Sequence, residues 1–197
     1  MNYLSHIVLA KSGKIQIGAF ISDAVKGNNY KQYSKHIQLG ILQHRMIDSL
    51  IDNDKNVAKV TVLFRPKYGK YSGIVTDIIF DYFLLKNWNK YKKESIIWFV
   101  LKFYINVFFN YLIFPKRMKR FAKIVIFNNL TAYYKSTSGV AKVLNLMFKY
   151  RGIPNESGFA IDVINDNYEF INNIFNNFFK EAMNEANNFL VNNVSST

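Results

Sequence analysis

The chain of 197 residues contains no cysteine, three prolines and nine glycines. The lack of cysteine excludes disulfide frameworks, cysteine-ligated zinc sites and thiol nucleophiles. So few prolines and glycines argue against collagen-like and low-complexity chains and against an all-β sandwich, which needs many turns. Acidic residues are also scarce, at 13 against 26 lysines and arginines, so the formal net charge is +13. This imbalance favours an acidic partner, whether nucleic acid, an anionic membrane or an acidic protein.

The remaining composition is that of a folded protein. Half of the residues are hydrophobic and 17% are aromatic, so the chain can bury a full core and is not expected to be disordered. The frequent Lys, Asn, Ile, Tyr and Phe are also the residues of A/T-rich codons, so genomic drift is an alternative source of the positive charge. Residues 1–10 lack the basic start and the cleavage site of a signal peptide. We expect one domain over residues 1–197.

Hydrophobic residues recur at helical spacing along most of the chain, which predicts an all-α fold. Gly27 is expected to end the first helix, Asp54 to cap the third, and Pro66 to end that third helix before a turn-rich linker over 66–73. The segment 128–150 is expected to hold one or two helices. The other predicted helices cover residues 13–26, 35–51, 54–65, 74–88, 96–114 and 162–191.

The apolar segment Ile96 to Phe114 is just long enough to cross a bilayer core of about 30 Å. Its polar residues fall on one narrow stripe of a helix: Ser95, Lys102, Asn106 and Asn110. That stripe favours a buried helix of a soluble protein with one polar edge. Pro115 is followed by a basic cluster, which comprises Lys116, Arg117, Lys119, Arg120 and Lys123. A hydrophobic helix beside a basic cluster is also typical of a protein that lies on an anionic membrane.

Two pairs of titratable residues, one of a histidine with an aspartate and one of two aspartates, occur at helical spacing. His44 and Asp48 are four residues apart and therefore face the same side of a predicted helix, and Asp77 and Asp81 repeat this spacing. The second pair lies in a strongly apolar segment, where a buried carboxylate needs a cation or a hydrogen bond. We therefore favour a functional role for Asp77 and Asp81, whereas His44 with Asp48 fits a plain helix pair equally well.

Asp23 and His6 are two further polar residues with apolar neighbours. Imidazoles and carboxylates that converge from separate helices bind divalent metals in helical proteins, and oxygen-rich sets suit manganese, iron or magnesium. His6 also fits a core or capping histidine, and Asp52 and Asp54 fit solvated or capping residues. The spacing therefore supports a metal site as a hypothesis, without a sharper motif such as HExxH or a Walker loop.

Several cations are close in sequence to these acids. Lys26 follows Asp23 by three residues, and Arg45 follows His44 directly. A metal ringed by cations suits a phosphate ester, because the metal generates hydroxide and the cations offset charge in the transition state. Lys26 and Arg45 fit solvated surface residues equally well.

Short motifs that run through most of the chain carry a family resemblance. They include MNYLSH at 1–6, GAFISDAVKG at 18–27, HRMID at 44–48 and DIIFDYFL at 77–84. In this order they resemble bacterial acyl carrier protein phosphodiesterases, a divergent branch of the HD-type metal-dependent phosphohydrolases. The resemblance implies an all-helical, HD-like, manganese-dependent cytoplasmic enzyme of lipid metabolism. Such an enzyme hydrolyses holo acyl carrier protein to the apo form and 4′-phosphopantetheine.

The resemblance also implies roles for individual residues. Asp48 would orient the ligands or activate the attacking water, and Arg45 and Lys26 would steady the phosphate. Magnesium or iron(II) are alternatives to manganese. The implied metal ligands are Asp23, His44 and Asp77, with Asp81 or His6.

The chain departs from two related patterns. Arg45 stands where the usual HD signature has an aspartate directly after the histidine, a departure that the phosphodiesterase branch shares. Tyr82 stands where some members have a histidine after the second aspartate of the pair.

The implied partner agrees with the charge of the chain. Acyl carrier proteins are small and strongly acidic, so a basic docking face would speed association, and the basic cluster is a candidate for it. Two alternatives stay open: a basic helical module that binds an anionic membrane surface, and a nucleotide phosphohydrolase on the same scaffold. Nucleic acid is not expected as a partner, because the sequence holds no recognisable binding module.

Overall fold

The computed structural model describes residues 3–11 and 13–194. The first two residues of the MNYLSH motif lie outside them. The described residues form twelve α-helices and no β-strand, so the prediction of an all-α fold is confirmed. Some of them are joined by four 3₁₀ segments, at Ser22–Ala24, Gly27–Gln32, Gly69–Tyr71 and Tyr111–Ile113. The helices are α1 (Tyr3–Leu9), α2 (Gly13–Ile21), α3 (Lys35–Asn53), α4 (Lys55–Tyr68), α5 (Ser72–Lys86), α6 (Trp88–Tyr91), α7 (Ile96–Asn110), α8 (Lys116–Phe127), α9 (Leu130–Tyr133), α10 (Thr137–Arg151), α11 (Ser157–Asp166) and α12 (Tyr168–Val194).

Aromatic side chains hold the helices together in two groups. The ring of Phe20 on α2 lies 5.2 Å from that of Phe103 on α7 and 5.7 Å from that of Phe121 on α8, between ring centroids. Phe175 on α12 lies 5.5 Å from Phe80 on α5. Buried aromatic pairs at such distances add to the stabilisation that burial alone supplies. They fix α7 and α8 against α2 on one side and α12 against α5 on the other.

Helices α2 and α3 touch backbone to backbone. A methyl group at Gly18 would overlap the carbonyl oxygen of Ile37, and one at Gly40 would overlap that of Ile15. The contact therefore requires glycine on both helices, because any Cβ would push them apart. This crossing brings the turn that follows α2 next to the middle of α3.

The first predicted helix, 13–26, is shorter than expected. It ends at Ile21, and Asp23 lies on the 3₁₀ turn that follows. The Ser22 hydroxyl donates to the carbonyl oxygen of Ile41 on α3 at 3.3 Å. This contact with a distant helix is not encoded in local periodicity, so the sequence did not predict the end of α2.

The prediction that Pro66 ends the third helix is wrong. Helix α4 continues through Pro66 to Tyr68, and the linker expected over 66–73 shrinks to the 3₁₀ turn at 69–71. Proline in the last turn removes only the N–H that would bond to the carbonyl of Val62, which lies on the exposed face of α4. The predicted cap is confirmed, because the Asp54 carboxylate accepts hydrogen bonds from the backbone N–H groups of residues 56 and 57 at 2.6 and 2.9 Å.

Near the carboxyl end, the single helix predicted over 162–191 is two helices, α11 and α12. They are separated at Asn167, whose side-chain amide donates to the carbonyl oxygen of Val163 at 3.0 Å. Asparagine side chains compete with backbone groups in this way and favour helix ends.

Two helices in the middle of the chain also differ from the prediction. Helix α8, which carries the basic cluster, was not predicted as a helix, and the predicted helix 74–88 corresponds to α5 and the start of α6.

The prediction that residues 96–114 form a buried helix is wrong. Phe103 and Val107 pack into the core, and Asn106 at the predicted polar edge donates to the carbonyl oxygen of Gly13 at 2.6 Å. Only 22% of Ile96–Ile113 is buried, although this segment alone among the described residues is long and apolar enough to cross a membrane. The sequence is apolar around most of the helix and therefore did not indicate which face packs. The exposed α7 face continues into the 3₁₀ segment that follows the helix. It comprises Ile97 (70% exposed), Trp98 (62%), Leu101 (43%), Ile105 (50%), Phe108 (77%) and Phe109 (77%) on α7 and Leu112 (86%) on that segment.

Candidate metal centre

Helix α1 is buried along its whole length, and Asp81 of α5 holds its amino-terminal end. One Asp81 carboxylate oxygen accepts from the N–H and the hydroxyl of Ser5 at 2.9 and 2.6 Å, and the other accepts from the N–H of Leu4 at 3.0 Å. The first N–H groups of a helix have no partner inside the helix, so the carboxylate completes this turn. Burial raises the pKa of Asp81 to about 7, although the hydrogen bonds from Ser5 and Leu4 oppose the rise. Asp81 thereby fixes His6, which is the next residue along α1.

Two helices and one turn bring four side chains together: His6 lies on α1, His44 and Asp48 on α3, and Asp23 on the turn after α2. The Nε2 atom of His44 lies 3.0 Å from a carboxylate oxygen of Asp48 and 3.3 Å from one of Asp23. The Nε2 atom of His6 lies 3.1 Å from the other Asp48 oxygen. The two imidazole rings are stacked, with their centroids 3.6 Å apart. Asp48 therefore lies between both histidines, and Asp23 closes the group on the side of α2.

The four groups of this cluster shift one another's pKa. Burial lowers the pKa of His44, but the carboxylates of Asp23 and Asp48 outweigh it and raise that pKa to about 9. Burial and the neighbouring His44 lower the pKa of His6 to about 3. The hydrogen bond with His44 lowers the pKa of Asp23 to about 2. Burial raises the pKa of Asp48, and the two histidines outweigh it and hold the pKa well below the usual range.

The cluster has the donors that a divalent cation needs. One ligand atom each from His6, His44 and Asp48 lie within 4.8 Å of one another. The Nε2 atom of His6 is buried and makes no well-aligned hydrogen bond, although Asp48 is close. A buried nitrogen without such a bond is costly unless another group uses its lone pair. The residues present therefore fit a metal with nitrogen and oxygen ligands.

A cavity of about 420 Å³ opens beside this cluster. Asp23 and Asp48 line its inner side together with Asp77 of α5. Burial raises the pKa of Asp77, and the nearby charges of Asp48 and Asp23 add to the rise. Two cations, Arg65 of α4 and Arg151 of α10, line the same cavity. A cavity of this size holds a small organic ligand, and its arginines suit an anionic one.

The structure brings together most of the predicted site residues. His6, Asp23, His44 and Asp48 form the cluster, and Asp77 lines the cavity. Asp81, expected beside the metal, instead uses both oxygens to hold α1. The ligand roles implied by the resemblance stay predictions.

Arg45 and Lys26, which were expected to steady the phosphate, do not line the cavity beside the cluster. The Arg45 guanidinium donates to the carbonyl oxygens of Val25 and Gly27 at 2.6 and 2.9 Å and lies over the ring of Tyr30. It thus fixes the loop after Asp23, and neither Arg45 nor Lys26 is among the residues that line the cavity.

Arg65 and Arg151 take the place that sequence analysis gave to those two cations. Arg151 lies 3.8 Å from a carboxylate oxygen of Asp23. Neither arginine is among the site residues that the sequence predicted. Their position at the cavity depends on how α4 and α10 pack, and spacing along the chain contains no signal for it.

Tyr82, which the resemblance compares with a histidine of some family members, makes its described contacts outside the cluster. Its ring packs on Phe83, 5.1 Å between centroids, and its hydroxyl interacts with Tyr168 of α12. The substitution therefore leaves the described contacts of the cluster unchanged.

Comparison with known proteins identifies a family that the chain matches. The family model described as acyl carrier protein phosphodiesterase matches residues 1–182. The acyl carrier protein phosphodiesterase of Photorhabdus laumondii is 38% identical over 91 residues, which cover 46% of this chain and 46% of the relative. Those of Yersinia enterocolitica and Enterobacter sp. (strain 638) are each 34% identical, over 46% and 48% of this chain and 47% and 49% of the relative. The chain thus spans about half the length of the curated relatives it matches. No solved structure matches it.

Proposed function

Since this chain belongs to the acyl carrier protein phosphodiesterase family, we propose that it hydrolyses the phosphodiester of holo acyl carrier protein. In this reaction a water oxygen forms a bond to phosphorus and the bond between phosphorus and the serine Oγ breaks. The serine oxygen takes up a proton, and the products are the apo protein and 4′-phosphopantetheine. The observation that carries the proposal is the cluster of His6, His44 and Asp48 beside a cavity that two arginines line.

We propose that His6, His44 and Asp48 hold a divalent metal, with Asp23 and Asp77 within reach as further ligands. When bound, the metal would supply a polarised phosphoryl oxygen and a water of lowered pKa. The donor set contains nitrogen and oxygen but no sulfur, which suits manganese, the metal implied by the family, and also magnesium or iron(II). His44 must give up its Nε2 proton to act as a ligand, so binding releases a proton.

The remaining residues of the cavity have roles set by charge. Arg65 and Arg151 can donate to the phosphate oxygens, and guanidinium groups match this geometry with paired hydrogen bonds. Arg151 also touches Asp23, so the phosphate would lie next to the cluster. Asp48 lies within 3.1 Å of the Nε2 atom of His6 and 3.0 Å of that of His44 and would orient both rings. We propose a cytoplasmic location, where an acyl carrier protein of fatty acid synthesis would be met.

Mass spectrometry of purified holo acyl carrier protein tests the proposal. We expect conversion to the apo form with Mn²⁺ and its loss in EDTA. His44→Ala should reduce the rate by more than about 100-fold, because it removes a metal donor and its hydrogen bonds. His36→Ala is the matched control, since His36 is exposed on the same helix and should leave the rate unchanged.

Two results would contradict the proposal. Conversion that persists in EDTA and in His44→Ala would exclude a role for the cluster. A metal-loaded protein that leaves holo acyl carrier protein intact but hydrolyses nucleotides would favour the nucleotide phosphohydrolase.

A specific observation favours membrane contact as a second candidate function. The exposed α7 face presents aromatic and aliphatic side chains to solvent, whereas surface patches of this kind usually contact a partner or a lipid. Because Phe103 and Val107 on the other side of α7 pack into the core, the helix fits a position in the plane of the interface better than a span.

A further inference from the structure

A second cavity, of about 530 Å³, lies between α8 and the carboxyl end of α10. We call it the α8 groove. Among the described residues that line it, four are cations and none is acidic: Lys116, Arg117, Arg120 and Arg151. Phe121 and Ile124 are half-buried and give the groove an apolar floor. An apolar floor with a basic rim is complementary to an amphipathic helix with acidic side chains.

The α8 groove adjoins the cavity beside the metal cluster. Arg151 lines both cavities, and its guanidinium lies 3.8 Å from Asp23. A protein that occupies the groove would therefore reach the cavity directly. Sequence spacing separates Arg151 from the basic cluster of α8 by about thirty residues, so only the placement of the end of α10 beside α8 creates this continuity.

The proposed reaction requires a docking surface at this place. The phosphorus under attack is bonded to the serine oxygen itself, at the protein end of the flexible arm. The backbone of the substrate protein must therefore lie at the mouth of the cavity, and the length of the arm cannot bridge a distant contact. Arg151 lines two of the described cavities. One is the reaction site itself, so the α8 groove is the one that leaves room for the substrate protein.

We propose that the α8 groove docks an acidic helix of the carrier protein, next to the serine that bears the phosphodiester. This inference rests on the proposed function. The concave shape of the groove fits a helix, about 10 Å across, better than a flat lipid surface. The cations would attract the acidic protein before contact and set its orientation in the complex.

Charge reversal at the groove rim tests this docking site. In the double variant Lys116→Glu, Arg120→Glu both replaced residues are exposed and neither lines the reaction cavity. Binding is measured as the dissociation constant for fluorescently labelled holo acyl carrier protein. Turnover is measured with two substrates, that protein and the small diester bis(4-nitrophenyl) phosphate. We expect the dissociation constant and KM for the carrier protein to rise by about tenfold or more. The rate on the small diester should stay unchanged.

A matched control removes the effect of net charge. Lys93→Glu, Lys180→Glu changes two exposed lysines before α7 and on α12 and lowers the net charge by the same amount. It should bind the carrier protein like the wild type. Wild-type affinity in the groove variant, or an equal loss in the control, would overturn the docking site. If the groove variant lost only its binding to anionic vesicles, the groove would be a membrane contact and the proposal would also fail.

Failure of the proposed function gives a different result. In that case the wild type would bind holo acyl carrier protein through the groove but leave its phosphodiester intact. Because binding is measured without turnover, the docking site is then confirmed while the reaction is rejected.

Discussion

Asp48 and Asp81 carry the same carboxyl group, yet their surroundings give them different tasks. Burial favours the neutral form of both, but Asp48 lies between His6 and His44, and these two histidines hold its pKa well below the usual range. Asp81 accepts from N–H and hydroxyl donors of α1. The first residue is therefore placed to bind a cation, and the second is placed to position the helix that carries His6.

We predict that Asp81→Asn misplaces His6 rather than removing a ligand. An amide offers one acceptor oxygen in place of two, so at least one donor of Ser5 or Leu4 loses its partner. We expect a loss of about 1–3 kcal/mol in the free energy of unfolding and a 10- to 100-fold loss in metal affinity. Urea unfolding and titration with Mn²⁺ measure the two effects.

Asp162→Asn is the control for this prediction. Asp162 is exposed on α11, so its substitution should change stability by no more than about 0.5 kcal/mol. If Asp81→Asn kept the wild-type stability and lost metal binding entirely, Asp81 would be a ligand, as the resemblance implies, and its positioning role would be wrong.

Among the helices, the crossing of α2 and α3 decides whether the cluster forms. Gly18 and Gly40 allow the two backbones to touch, and this contact sets the distance between Asp23 after α2 and His44 on α3. The site therefore depends on two residues that have no functional group. Their role is visible only when both helices are placed.

We predict that Gly40→Ala destabilises the protein and separates Asp23 from His44. The added methyl group meets the backbone of α2 at Ile15, which cannot move aside as a side chain can. Overpacking of this kind costs about 1–3 kcal/mol, or more where backbone is involved. The midpoint temperature of thermal unfolding and the metal affinity should both decrease.

Gly158→Ala is the matched control on α11. A methyl group there meets nothing within 4 Å, so this variant should be as stable as the wild type or more stable by about 0.5–1 kcal/mol. Equal stability of the two alanine variants would show that α2 and α3 do not depend on their close contact.

The whole molecule combines a large positive charge with a large apolar surface. The exposed α7 face ends beside α8, where the ammonium group of Lys119 lies 5.6 Å from the ring centroid of Tyr111. Phe127, also 83% exposed, ends α8. Aromatic side chains next to lysines and arginines are typical of proteins that bind anionic lipid surfaces.

We predict that the protein sediments with phosphatidylglycerol vesicles and not with phosphatidylcholine vesicles. Phe108→Ser, Phe109→Ser should weaken binding by at least about tenfold, because each buried phenylalanine contributes about 1.5–3 kcal/mol. Hydrolysis of a small diester should be unaffected. Phe170→Ser on α12 replaces a less exposed phenylalanine and serves as the control.

Size-exclusion chromatography accompanies the vesicle experiment. If the wild type ignored both kinds of vesicle and the double variant converted a dimer to a monomer, the exposed α7 face would be a contact between two copies of the chain. Binding of the double variant equal to that of the wild type would exclude this face as the lipid contact.

Much of this protein follows from local sequence. Helical periodicity determined the all-α fold, and the cap at Asp54 follows from side-chain chemistry that acts within three residues. The pairing of His44 with Asp48 follows from the helical repeat, which places residues four apart on one face. The motifs that resemble the family lie in an order that the match over residues 1–182 confirms.

Other features were decided by the tertiary structure alone. His6, Asp23 and Arg151 reach the cluster from three separate elements, and Asp81 serves α1 because α5 packs against it. The burial of α7 could not be predicted, since a helix that is apolar around most of its surface gives no signal of the face that packs. Local spacing fixes neighbours within a helix. Contacts between helices depend on which surfaces fit together, and in this protein those contacts place the arginines of the cavity and join it to the α8 groove.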